Sequence, residues 1–362
     1  MESKSETPLP LEAALDATPG AHARTVEDSM DFVAQIVGEE NQEGQRLQAG
    51  PILRLINDTA RLVCTRHSGQ RCVLLAVDRM QLTRRIRHMD LVRLEGRLIE
   101  VGRSSMVVEV RCYRKGPMDR AFSAAHVGFV TMVAVDEHGQ PFRDFPRLDY
   151  HSAAGLEAKA LAAHRQAELA ERHQALDWVS TAETYHAEDV LEPIPATRYD
   201  MLRPEETRVQ VKGQLVSSGL PADGRVRGGE LLQWLDRVAT YTARQFTHNP
   251  HLVTITLNDV LLKRPLHSTD WLELDAYVAY VRTHTLEVSI EITVHTLEGE
   301  RHALNSVEFF ILNYDSSGEK MPITTGLLLE DSDQAALRRY LKARTRFAYW
   351  KSHPESHLTQ SP

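Results

Sequence analysis

Apolar and polar residues alternate strictly in two stretches of the chain. Val92, Leu94, Gly96 and Leu98 share one face of an extended segment, and Leu272, Leu274, Ala276 and Val278 repeat that face 180 positions later. Each stretch is followed by a polar turn, Gly102-Arg-Ser-Ser105 in one case and Arg282-Thr-His-Thr285 in the other. Alternation then resumes with Met106, Val108, Val110 and Cys112, and with Leu286, Val288, Ile290 and Ile292. A period of two over such lengths predicts half-buried antiparallel strands. Upstream, the period changes. Gly50-Pro-Ile-Leu-Arg-Leu-Ile-Asn-Asp-Thr-Ala60 lines up with Gly229-Glu-Leu-Leu-Gln-Trp-Leu-Asp-Arg-Val-Ala239 at an offset of 179. Apolar residues three and four apart predict a helix in each, opening after a small residue.

The correspondence continues along the chain, which makes it an internal repeat. Asp78-Arg-Met-Gln-Leu82 matches Asn258-Asp-Val-Leu-Leu262, and Asp90 matches Asp270, now at an offset of 180. A last strand closes each copy, over Val127–Val135 and Ser306–Tyr314, before the turns Asp136-Glu-His-Gly139 and Asp315-Ser-Ser-Gly318. Each copy therefore reads strand, helix, then several antiparallel strands. One apolar helix with one curved sheet predicts an α+β unit in which the sheet wraps the helix. The expected division is a polar, proline-bearing disordered tail over 1–24, a first unit over 25–150, a helical linker over 151–197, a second unit over 198–325, and a helix and tail over 326–362. In the linker, Leu156, Ala160, Ala163, Ala167 and Ala170 follow helical spacing and predict a surface helix. The C-terminal helix opens at Ser332-Asp333 and carries Leu337, Tyr340, Leu341 and Arg344; it is expected to pack on the outside of the fold.

Composition narrows the function classes. A length of 362 residues suits two domains, and a net charge of −8 argues against a general nucleic-acid binder. No apolar run is long enough to span a bilayer, so no stable membrane insertion is expected. The acidic first twenty residues read as neither a signal nor a transit peptide. Three cysteines, Cys64, Cys72 and Cys112, form neither an even set nor a metal-ligand spacing, which points to small core residues in a reduced cytoplasm. The 17 histidines are scattered, His284, His295 and His302 included, and no metal site is expected.

The candidate chemistry lies on the predicted helix of the second copy. Gly228-Gly229 at its start allow a ligand to approach the backbone, and the first turn offers N–H groups that could hold an oxyanion. Asp236 follows Gly229 by seven residues, about two turns, and so shares its stripe. A carboxylate on an apolar central helix could activate water or attack directly.

The stretch Gly224-Arg-Val-Arg-Gly-Gly-Glu-Leu-Leu-Gln-Trp-Leu-Asp236 resembles the helix-start motif of hotdog-fold acyl-CoA thioesterases. The order that follows resembles it too: Val253-Thr254, Leu262-Lys-Arg-Pro265, Asp270, the paired long strands and the closing Phe309-Phe310 strand. The resemblance covers about residues 25–320 and implies two tandem hotdog domains with a site between them. It implies hydrolysis of acyl-CoA to fatty acid and CoA in lipid metabolism, with no cofactor beyond the CoA of the substrate. Asp236 would be the acid, the start of the first helix at Gly50 and that of the second at Gly229 would supply N–H groups, and Asn57 would be a polar partner. Arg103, Ser104 and Ser105 would bind CoA, and double-hotdog chains would form a homotrimer. Departures from the family pattern are Arg46 and Arg225 where an Asn is usual, Ala49 in place of one glycine, and Asn57 at the acid position of the first copy, so at most one competent site per chain is expected. The alternative is a tandem hotdog that binds acyl-CoA without hydrolysing it. A hotdog hydratase ranks last, because His67, His248 and His251 have no matching acid arrangement.

Overall fold

The structure, a computed structural model, describes residues 23–352 apart from 83, 182–183, 194, 196, 216–223, 263 and 265. The expected disordered tail over 1–24 thus falls almost wholly outside the described residues. The first copy comprises β1 (Asp31–Ile36), α1 (Ala49–Ser68), β2 (Arg71–Val77), β3 (Met80–Gln81), β4 (Leu91–Val101), β5 (Ser105–Lys115) and β6 (Ser123–Val135). The linker helix α2 (Ala153–Thr181) follows. The second copy comprises β7 (Val209–Gly213), α3 (Gly228–Thr247), β8 (Leu252–Leu257), β9 (Val260–Leu261), β10 (Trp271–Val281), β11 (Thr285–His295) and β12 (Val307–Asn313), and α4 (Gln334–Ser352) closes the described chain.

Each central helix buries one stripe against its own sheet. On α1 the stripe is Ile52, Leu53, Ile56, Ala60, Val63 and Cys64, all within 2% of complete burial. These recur at the helical period, and α1 ends where Gly69, at φ 67°, donates its N–H to the Thr65 carbonyl. The alternating strand residues meet that stripe from the other side: Val92, Leu94 and Leu98 on β4, and Leu274 and Ala276 on β10, are fully buried. The closing strands differ slightly from the pattern read in the sequence. β6 starts at Ser123, and β12 leaves out Ser306 and Tyr314.

The sheets are mixed between copies, which the sequence pattern does not reveal. One runs β9-β2-β6-β5-β4-β1, the other β7-β10-β11-β12-β8-β3, with the short strand Arg301–Ala303 beside β11. Two-residue β3 leaves its own copy to pair with β8, and β9 pairs with β2 in return. Leu82 N–H donates to Ile255 O at 2.7 Å and Leu262 N–H to Leu75 O at 2.7 Å, so the exchange is reciprocal. Each copy therefore caps a strand edge of the other.

The linker helix is less superficial than its alanine-rich sequence suggests. Ala158 and Val179 are fully buried, and Arg165 is buried with both ends of its guanidinium on Asp78, at 2.6 and 2.9 Å. Small alanines let the helix lie close on the sheet, and the arginine anchors it to the turn before β3. Helix α4 packs on the outside of the second sheet, as its stripe predicts; Asp333 Oδ1 accepts the Ala336 N–H at its start, and Leu337, Tyr340 and Leu341 are buried. Cys64, Cys72 and Cys112 are buried and free. No helix among the described residues is long and apolar enough to cross a membrane.

Candidate active site

Helices α1 and α3 lie against each other, and glycines permit the contact. A Cβ on Gly50 would fall 3.1 Å from Gln233 Cγ and 3.2 Å from Asp236 Oδ2. A Cβ on Gly229 would fall 3.1 Å from the Arg54 backbone and from Asn57 Nδ2. The start of α1 thus faces Asp236, two turns along α3, while the start of α3 faces Asn57 on α1. The duplication yields two related junctions with different chemistry.

Asp236 is 1% exposed. Its Oδ2 accepts the Gly50 N–H at 2.7 Å, and its Oδ1 accepts the Thr254 hydroxyl at 2.5 Å. Helix α3 supplies the acid, α1 of the other copy supplies the N–H, and β8 supplies the hydroxyl. A register shift in β8 separates Thr254 from Thr256 where the strand pairs with β12. Burial pushes the Asp236 carboxyl above the usual carboxylate range, while the bonds from Thr254 and Gly50 pull it back. Among the described residues no cation forms an ion pair with it, although the charges of Arg237 and Arg244 also favour its ionised form. A buried carboxylate with a raised pKa and two fixed donors is oriented and basic.

Near the start of α1, the Arg46 guanidinium lies over the Tyr314 ring, 5.6 Å from its centroid. Burial and the neighbouring Arg85 lower its pKa to about 10. Gln48, at the helix N-cap, donates its amide N–H to Leu252 O at 2.9 Å, and its Oε1 is buried with no donor. Burial, with the positive Arg46 nearby, lowers His126 to about 3, which keeps its imidazole neutral.

The second junction holds Asn57, also 1% exposed, and its Oδ1 receives no hydrogen bond. Leu74 stands there where Thr254 stands at the first, since 254 − 180 = 74. A cleft of about 670 Å³, counting its solvent-open part, opens against Asn57, Leu74 and Gly228.

These positions sort the residues proposed from sequence. Gly50 and Asp236 meet, and the Gly50 N–H donates to the carboxylate. Pro51, next in the chain, has no N–H. Asn57 and Gly229 meet each other at the opposite junction and do not join Asp236. The Arg103-Ser104-Ser105 turn is also on that side: Ser105 pairs with Val133, which pairs with Val73 beside Leu74. The corresponding residue on the Asp236 side is Thr285, paired with Leu312 and through it with Val253, the neighbour of Thr254. Arg282 of that turn stacks over Phe347 of α4, 4.3 Å from its centroid. Thr254 belongs to the family-like Val253-Thr254 pair, but nothing in that motif alone joins it to Asp236. Its signal was the repeat itself, because both partners of the polar pair Asp236 and Thr254 are replaced in the first copy, by Asn57 and Leu74.

The architecture is that of two hotdog domains in tandem. The profile of the thioesterase superfamily matches the chain twice, over residues 50–121 and 223–297. Acyl-coenzyme A thioesterase 11 of Mus musculus is 24% identical over 288 residues, which cover 78% of this chain and 47% of the mouse protein. The chain thus spans about half the length of that relative. An uncharacterised acyl-CoA thioester hydrolase of Zymomonas mobilis is 33% identical over 101 residues, 28% of this chain and 67% of that one. Among solved structures, an acyl-CoA hydrolase from Bacillus cereus is similar at 26% identity, over 45% of this chain and 99% of its own, with a TM-score of 0.38. The chain belongs to the thioesterase superfamily.

Proposed function

We propose that the protein hydrolyses acyl-CoA thioesters and that Asp236 carries the reaction. The observation behind this reading is the buried carboxylate held by the Gly50 N–H and the Thr254 hydroxyl where the two copies meet. As general base, Asp236 takes a proton from a water whose oxygen attacks the thioester carbonyl carbon. The tetrahedral oxyanion then collapses, the C–S bond breaks, and CoA leaves as the thiolate, which takes up the proton that Asp236 had accepted and so regenerates the base. Thr254 and Gly50 fix the two carboxylate oxygens, so the base loses little entropy in reaching the reactive geometry. Burial raises its basicity, and a general base is most effective when its pKa lies near the working pH. The named relatives, acyl-CoA thioester hydrolases by name, support the substrate class.

The finer parts of the proposal are a cytoplasmic enzyme of lipid metabolism and a homotrimer of double-hotdog chains. The test is thiol release from a panel of acyl-CoA substrates, acetyl to palmitoyl, by wild type and Asp236→Asn. We expect turnover on part of the panel and a loss of about 10²- to 10⁴-fold in the variant, the usual contribution of a positioned base. Equal turnover by the two proteins would refute the assignment of Asp236.

A further inference from the structure

Hydrolysis at Asp236 leaves the cleft at the start of α3 without a role. Its lining includes Asn57, Arg61, Thr65, Arg71, Arg225 and Arg227, with no carboxylate among the described lining residues. Four arginines around one opening are notable in a chain of net charge −8. They create a local positive field suited to an anion. Guanidinium groups match the geometry of phosphate oxygens and can bind them through paired N–H donors. The Nε of Arg61 is buried without an acceptor, and the Asp58 carboxylate nearest to it is 3.8 Å away.

Two further features point to a ligand. Helix α3, 20 residues long, begins at this cleft with Gly228 and Gly229, and the first N–H groups of a helix have no intrahelical partner. Independently, Asn57 presents a buried Oδ1 that receives no hydrogen bond, 3.0 Å from where a Cβ on Gly228 would lie. An unpaired buried acceptor is costly unless something donates to it. An N–H or O–H of a bound molecule would do so.

We propose that this cleft binds a phosphate-bearing molecule and does not hydrolyse it. The amide of Asn57 cannot accept a proton from water as a carboxylate does, and Leu74 offers no hydroxyl to orient one. The phosphates would face the arginines and an N–H or O–H of the ligand would face Asn57. Two sources share this chemistry: CoA or its thioesters, and a free adenine nucleotide. The choice of CoA as a probe rests on the thioesterase reading.

The test is calorimetric titration of the full-length Asp236→Asn protein with CoA and, separately, with ADP. Each titration is repeated after adding Arg61→Ala and Arg71→Ala, and after Arg61→Lys and Arg71→Lys instead. If CoA is the ligand, it binds at two equivalents per chain, and the alanine pair leaves one. If a nucleotide is the ligand, ADP binds at one equivalent, weakened at least tenfold by the alanine pair. In either case the lysine pair retains most of the binding, which separates loss of charge from loss of fold. Titrations that the arginine substitutions leave unaltered, or a single equivalent of CoA together with no binding of ADP, overturn the proposal. A wild-type protein that releases no thiol removes the hydrolase reading and leaves this titration to decide the cleft.

Discussion

The difference between an acid and an amide at matched positions decides what each half of the molecule can do. Asp236 and Asn57 are equally buried, but only Asp236 can carry charge, and only Asp236 has a hydroxyl beside it. Its carboxyl is raised by burial, so the folded protein holds a proton on it at pH values where the unfolded chain has released it. Two signs follow. The proposed base works only when ionised, so kcat/KM is expected to fall as pH drops through this raised pKa. The acid limb of the pH–rate profile is therefore expected above 3.8, the ordinary Asp value. The same shift makes ionised Asp236 a cost to folding, so its contribution to stability declines as pH rises through that window. The limb is measured as kcat/KM against pH; an acid limb at or below the ordinary value contradicts the burial argument. Asp236 itself was legible from its place on a glycine-opened helix. Its partners were only partly so. The Gly50 junction could be read from motif resemblance, but the donation of that N–H to the carboxylate depends on helix packing, which one sequence does not display.

At the scale of elements, the α1–α3 contact rests on glycines. Gly228 has Leu74 Cβ 2.5 Å and Asn57 Oδ1 3.0 Å from where its own Cβ would be. Gly228→Ala must therefore displace a strand residue at its Cβ, next to the backbone, and not only at a flexible tip. Overpacking of this kind costs about 1–3 kcal/mol, more than the helix propensity gained, at most about 1 kcal/mol. Urea denaturation is expected to show a net loss of stability; an unchanged or higher midpoint would mean the helices can part freely there. The helices and long strands were readable because their periods, 3.6 and two, are written in residues such as Ile52, Ile56 and Val63, or Val92, Leu94 and Leu98. The two-residue strands β3 and β9 carry no period at all. Their exchange between sheets is set by which edge lies nearby, so it could not be read from pattern.

In the molecule as a whole, the linker does more than return the chain. Arg165 of α2 holds Asp78, 5% exposed, just before exchanged strand β3. Arg165→Ala leaves that carboxylate buried without its cation, and breaking a buried pair costs about 3–5 kcal/mol. The Asp78 carboxyl is already raised by burial, against the pull of Arg165. The destabilisation should therefore shrink at acidic pH, where Asp78 is protonated and needs no partner. Chemical denaturation of the variant at neutral and acidic pH checks both parts; a loss independent of pH would assign the effect to packing alone. The sequence suggested a surface helix because alanines dominate it, yet small side chains also suit close packing. The duplication itself was legible because offsets of 179 and 180 persist through helix, strands and turns. What separates the two junctions is a handful of substitutions within that plan.

The most direct measurement is the thiol-release rate of the exchange variant Asp236→Asn/Asn57→Asp. It keeps one carboxylate on the paired helices but moves it from the Thr254 junction to the Leu74 junction. A rate at least about 10²-fold below wild type is expected, because the moved acid has no hydroxyl partner and lies at the other helix start. A rate close to wild type would contradict this, showing that the two junctions are chemically equivalent.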